Sequence, residues 1–142
     1  MGNELIESGR NLILLPSTII TTAVSGSTGD VFSGFSGLSS VIFQAKFVYG
    51  SGGTTAKFWV QTSFDRGTTW CDVMNFAFTT ASATKVGAAI AAGVTPVAPT
   101  DATLADNTVN AGFLGERFRI KYTTTGTYAG STSIYISGLV KQ

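Results

Sequence analysis

Three stretches of this chain alternate strictly between two kinds of side chain. In Val41–Tyr49, Phe43, Ala45, Phe47 and Tyr49 fall on one side and Gln44 and Lys46 on the other. In Lys57–Ser63, Phe58, Val60 and Thr62 oppose Lys57, Trp59 and Gln61, and in Arg117–Tyr122, Phe118, Ile120 and Tyr122 oppose Arg117, Arg119 and Lys121. A period of two puts successive side chains on opposite faces of an extended strand, the pattern of an antiparallel sheet with one face in a core and one in water. Runs rich in Val, Ile, Phe, Tyr and Thr recur between clusters of Gly, Ser, Asn and Asp. They predict strands at Asn11–Ile20, Ser40–Tyr49, Thr55–Phe64, Thr69–Thr79, Glu116–Thr124 and Thr132–Leu139, with a weaker one at Val31–Phe35. Helical periodicity is scarce. The expected fold is all-β: an antiparallel β-sandwich, jelly-roll-like, of about seven or eight strands in a single domain over residues 1–142.

Residues 63–70 read Ser-Phe-Asp-Arg-Gly-Thr-Thr-Trp between two of these strands. Asp65 can accept backbone N–H bonds from its own turn, and Gly67 can adopt the positive φ that closes a short hairpin loop. A β-branched residue at Gly67 should therefore be among the most damaging loop substitutions. Trp59 and Trp70 flank the loop from opposite strands and are expected to meet near one face as an aromatic cross-strand pair. The octapeptide resembles the Asp-box of sialidases, matching S-x-D-x-G-x-T-W at Ser63, Asp65, Gly67, Thr69 and Trp70. What the resemblance implies is a structural hairpin, because in those propeller enzymes the motif repeats from blade to blade away from the catalytic centre. It occurs once here, in a chain too short for a propeller, so sialidase activity is not implied.

The chain has no histidine, which removes Ser-His-Asp and Cys-His nucleophilic arrangements, imidazole metal ligands and a base that titrates near neutrality. Carboxylate chemistry would have to come from Glu4, Glu7, Asp30, Asp65, Asp72, Asp101, Asp106 and Glu116, which sit mainly in apparent loops or at the chain start. A calcium site at Asp101 and Asp106 is conceivable, but no D-x-D-x-D-G spacing supports it. No phosphate-binding glycine loop is present. The reading is a non-enzyme with no cofactor and no metal. Nine basic against eight acidic residues leave a net charge of +1, far from what a nucleic-acid binder needs. Cys71 is single and reads as a small buried strand residue. Glu4 and Glu7 stand where a signal peptide is basic, and Pro16 and several Thr residues interrupt the apolar stretch that follows, so neither a signal peptide nor a membrane span fits.

So small a net charge gives little self-repulsion, and part of the surface is expected to be covered by protein, copies of the chain included. Two irregular apolar segments are candidates for the contact: an N-terminal arm over residues 1–16, with Leu5, Ile6, Leu12 and Leu14, and a long loop or arm over 85–105, with Ile90 and Val94. Ser25–Gly37, rich in glycine, reads as a loop. Arg117, Arg119 and Lys121 form a basic stripe, which is either a solvated face or a rim contact to an acidic partner. Trp59, Phe35, Tyr128 and Tyr135 would be the members of a sugar-stacking platform, though aromatics in so strand-rich a chain are more often core.

From Lys57-Phe-Trp-Val-Gln-Thr-Ser-Phe-Asp65, through Leu114-Gly-Glu-Arg-Phe-Arg-Ile-Lys-Tyr122, to Gly126-Thr-Tyr128, the arrangement resembles small β-sandwich accessory virion proteins of tailed bacteriophages. The resemblance implies a head-decoration, or cement, protein located in the virion. Its partners would be the major capsid protein or other virion proteins and its own copies, with a trimer favoured. A carbohydrate- or receptor-binding module and a tail or connector component are the alternatives, since one sandwich fold serves all of them.

Overall fold

The computed structural model describes residues 9–142, so Leu5 and Ile6 of the expected arm lie outside the described residues. No helix occurs among those described. The strands are β1 (Gly9–Ile19), β2 (Val24–Thr28), β3 (Ser40–Val48), β4 (Ser51–Gly52), β5 (Thr55–Ser63), β6 (Cys71–Phe78), β7 (Ala83–Ile90), β8 (Arg117–Thr125), β9 (Tyr128–Ala129) and β10 (Ser133–Lys141). They form a four-stranded sheet ordered β1-β10-β3-β7, a second ordered β2-β8-β5-β6, and the short ribbon β4-β9. All strand pairs are antiparallel. With the ribbon set aside, the eight long strands pass from one sheet to the other at every step except the β5–β6 hairpin, as in a jelly roll: β1 and β2 open opposite sheets, and β10 and β8 return beside them.

The alternating side chains meet between the sheets. Phe43, Ala45 and Phe47 of β3, Phe58 and Val60 of β5, Phe118 and Ile120 of β8, and Ile134 and Ile136 of β10 are all buried there. Phe47 stacks on Phe78 at 4.8 Å and meets Tyr128 edge-on at 5.8 Å. Each of the Phe, Val and Ile side chains among them stabilises the fold by about 1.5–3 kcal/mol over its exposed state.

Four expectations are corrected. Residues 9–16 are not an arm but most of β1, paired along β10 from Gly9↔Lys141 to Ile19↔Ser133. A register shift between Ile13 and Leu15 turns both Leu14 and Leu15 inward, so Leu14, at 0% exposure, is core and not a partner contact. Residues 85–90, the front of the expected 85–105 arm, belong to the edge strand β7, in register with β3 from Ser40↔Ile90 to Phe47↔Ala83. Lastly, the strand expected at Val31–Phe35 is reduced to the isolated pairing Phe32↔Phe118, whereas Val24–Thr28, partly inside the expected loop, is β2.

Registers also fix the two ends of the sandwich. Gly9, Lys141, Ser40 and Ile90 align at one end of their sheet, and Ser63, Cys71 and Arg117 at the same end of the other. That end carries the 63–70 hairpin and residues 91–116, and bonds from Phe35 N to Glu116 O and from Ser39 N to Lys141 O tie it together. The glycine- and threonine-rich turns around Gly50–Gly53 and Gly126–Gly130 lie at the other.

Candidate functional site

The hairpin is built from its own polar groups. Ser63 Oγ donates to Asp65 Oδ1 at 2.9 Å and accepts from Gly67 N at 2.8 Å; Asp65 Oδ1 also accepts from Thr69 N at 2.7 Å. Trp70 Nε1 closes the loop on the Gly67 carbonyl at 3.0 Å. Arg66 and Gly67 both have positive φ, 60° and 92°. The Thr69 backbone N–H, reinforced by its hydroxyl, holds the Asp65 carboxyl below its ordinary pKa of 3.8. These bonds are local, and they engage Asp65 in its own turn.

The polar face of the β2-β8-β5-β6 sheet is not open to water. Residues 91–116 leave β7, cross this face and return to β8, and they seal Trp59, Gln61, Asp72 and Asn75 beneath them. The anchor is Asp72, fully buried, whose two carboxylate oxygens accept the backbone N–H groups of Ala102, Thr103 and Leu104 at 2.8–3.0 Å. Gln61 Nε2 donates to Asp72 and to Asp101, and Gln61 Oε1 accepts from Arg119 Nε at 2.9 Å. The Arg119 guanidinium lies over the Trp70 ring at 4.2 Å, while Trp59 and Asn75 both donate to the Leu104 carbonyl. Burial pushes the Asp101 carboxyl up, but hydrogen bonds from Gln61 and Lys121 and the charges of Lys121 and Arg119 outweigh it, and the net displacement is downward. Burial also lowers the Arg119 pKa and, first among several causes, raises that of the Cys71 thiol, which stays protonated.

This cover changes the reading of several residues. Arg119 and Lys121 are not a solvated stripe or a free rim: Arg119 is stacked and bonded as described, and Lys121 pairs with Asp101 at 3.0 Å. Arg117 is half-buried beside Glu116 at 3.5 Å. Trp59 and Trp70 share the covered face without forming a ring pair, each indole being engaged by a backbone carbonyl. The supposed aromatic platform disperses. Tyr128 is buried and donates to Thr79 O, Phe35 is buried under Arg10 at 5.1 Å, Trp59 is sealed, and Tyr135 alone is partly exposed. Asp101 and Asp106, weighed as calcium ligands, are paired with Lys121 and Lys57, and no group of three or more metal-ligating residues exists among the described residues.

Two open surfaces carry exposed apolar side chains. At the hairpin end, Phe64 and Val97 are 56% and 61% exposed and, with Pro99 and the half-buried Phe113, border a hollow of about 300 Å³. Val94, an expected contact, is exposed on the same 91–116 segment. The second open surface is the outer face of the β1-β10-β3-β7 sheet, where Ile13, Ile42, Leu139, Val86 and Ile90 are between 47% and 65% exposed. Ile90 had been expected as a contact, and Leu12 is half-buried at the margin of this face. The alternation in Val41–Tyr49 carried the signal for Ile42, which shares its side with Gln44 and Lys46. Phe64 and Phe113 carried none, because isolated loop phenylalanines have no period.

No family model, curated protein or solved structure matches this chain.

Proposed function

We propose that this chain is a structural protein of a tailed-phage virion, a capsid decoration or cement protein that works by binding the shell. The carrying observation is the apolar hairpin end, where exposed Phe64 and Val97 border one hollow and Val94 is exposed on the same 91–116 segment. A protein that exposes large apolar side chains in clusters is suited to cover and be covered. The sequence resemblance to accessory virion proteins supports the shell as the surface in question. Such a protein stabilises its host lattice by mass action: contacts made only with the intact shell must break before the shell does. An effective contact buries on the order of 800 Å² per partner, and an apolar centre with a polar rim is the usual anatomy. Against a carbohydrate-binding reading stands the burial of Trp59, Phe35 and Tyr128, which leaves Tyr135 alone of the supposed platform partly exposed.

The test is co-sedimentation with emptied capsids. Phe64→Asp, Val97→Asp and a chain lacking residues 1–8 should each lose at least about tenfold in particle occupancy while keeping an unchanged far-ultraviolet spectrum, the loss expected for one buried anchor. Undiminished occupancy by all three would sink the proposal.

A further inference from the structure

One sheet of this sandwich has its outer face sealed by residues 91–116, and the other has no cover among the described residues. We infer that the bare face of the β1-β10-β3-β7 sheet packs against the same face of a second copy about a two-fold axis. This inference deepens the decoration reading and adds the surface through which copies would hold one another.

Three observations select a second copy as the occupant. The first is extent. Four strands about 4.8 Å apart and nine residues at about 3.4 Å rise give a face of roughly 20 by 30 Å, or about 600 Å² in projection. The accessible surface of a corrugated face exceeds its projection, which brings it near the roughly 800 Å² per partner of a stable pair. The second is shape. A hollow of about 510 Å³ is lined by Ile13, Val86, Ser137 and Gly138 together with the exposed side chains of Ile42 and Leu139. In the proposed pair a two-fold operation brings Ile42 and Leu139 of each copy into the other copy's hollow, the reciprocal fit that an isologous interface requires. Two copies close the contact, so this face yields a pair and not the trimer expected from the sequence.

The third is charge. Among the outward positions of these strands only Lys46 and Lys141 are charged, and both lie outside the hollow's lining. The contact centre is therefore free of charges that would need a partner's counter-ion. Lysines at its margin can keep their ammonium groups in water while their stems lie on the apolar surface.

The experiment is sedimentation velocity on the full chain from 1 to about 200 μM, a range that brackets ordinary weak and moderate pairs. The expected result is a two-copy species that Ile42→Asp and Leu139→Lys each weaken by at least about tenfold, with folding checked by circular dichroism. Mixing Ser137→Cys chains with Ile42→Cys chains should also give an intermolecular disulfide that neither forms alone at comparable yield, Cys71 being buried in both. A single-copy species throughout the range, or an assembly unaffected by either variant and lacking the mixed disulfide, overturns the pair. The two proposals fail separately: Ile42→Asp should lose pairing yet still bind capsids through the Phe64 end, whereas Phe64→Asp should do the reverse.

Discussion

At Gly67 the backbone has φ = 92°, a region L-residues rarely enter, while the space around an added Cβ is ordinary, with Trp70 at 3.5 Å. The demand for glycine at this point is thus conformational and not steric. Gly67→Val should cost roughly 1–3 kcal/mol, read as a lower urea midpoint with an unchanged slope. Two residues earlier, Asp65 supports the same turn through its charge. Because its folded pKa lies below the ordinary 3.8, its contribution is fully present above that value and disappears as pH falls through the folded one. Urea titrations of wild type and Asp65→Asn should therefore differ above pH 5 and converge in strong acid; parallel curves at all pH values would refute the assignment. Both roles were legible in the octapeptide, because every bond that makes the turn is local. The burial of Leu14 was not legible, since it follows from a register shift against β10, far away in the chain.

Elements split the same way. Strands with bulky alternation, β3, β5 and β8, lie within a residue or two of where the pattern put them. β2 and β7 escaped because Val-Ser-Gly-Ser-Thr and Ala-Thr-Lys-Val-Gly-Ala-Ala-Ile are poor in strand-forming side chains. Tertiary context rescues them. β2 gains bonds from Val24 N and Gly26 N to the hydroxyls of Thr124 and Thr123, and Gly87 of β7 leaves room for Met74 Sδ, which an added Cβ would meet at 2.8 Å. As an edge strand, β7 turns Lys85 inward over the Phe78 ring at 4.9 Å, a charge that discourages unwanted strand addition. Residues 91–116 are held to β6 by backbone bonds at Thr100, Thr108 and Asn110 and by one buried carboxylate. Asp72→Ala would strand three backbone donors, costing about 2–4 kcal/mol, and should make the chain around 100–104 cleavable by protease while the β-sandwich persists. Continued protection there would show that the segment is held by other means.

For the whole molecule, period two and the recurring strand-forming runs delimited an all-β body, and the two-sheet antiparallel architecture agrees with that reading. The candidate surfaces were harder to see. Which sheet face is covered depends on the path of 91–116, and that path is set by Asp72, Gln61 and Asn75, polar residues on strands whose pattern alone marks them as facing water. Gly9 and Lys141 are direct neighbours across β1 and β10, at the end that carries the hairpin. A reporter joined through either of them would crowd the region proposed to meet the shell, whereas a peptide inserted between Thr80 and Ala81, in the exposed turn from β6 to β7, would project from the far pole, which makes that turn the place from which to display cargo.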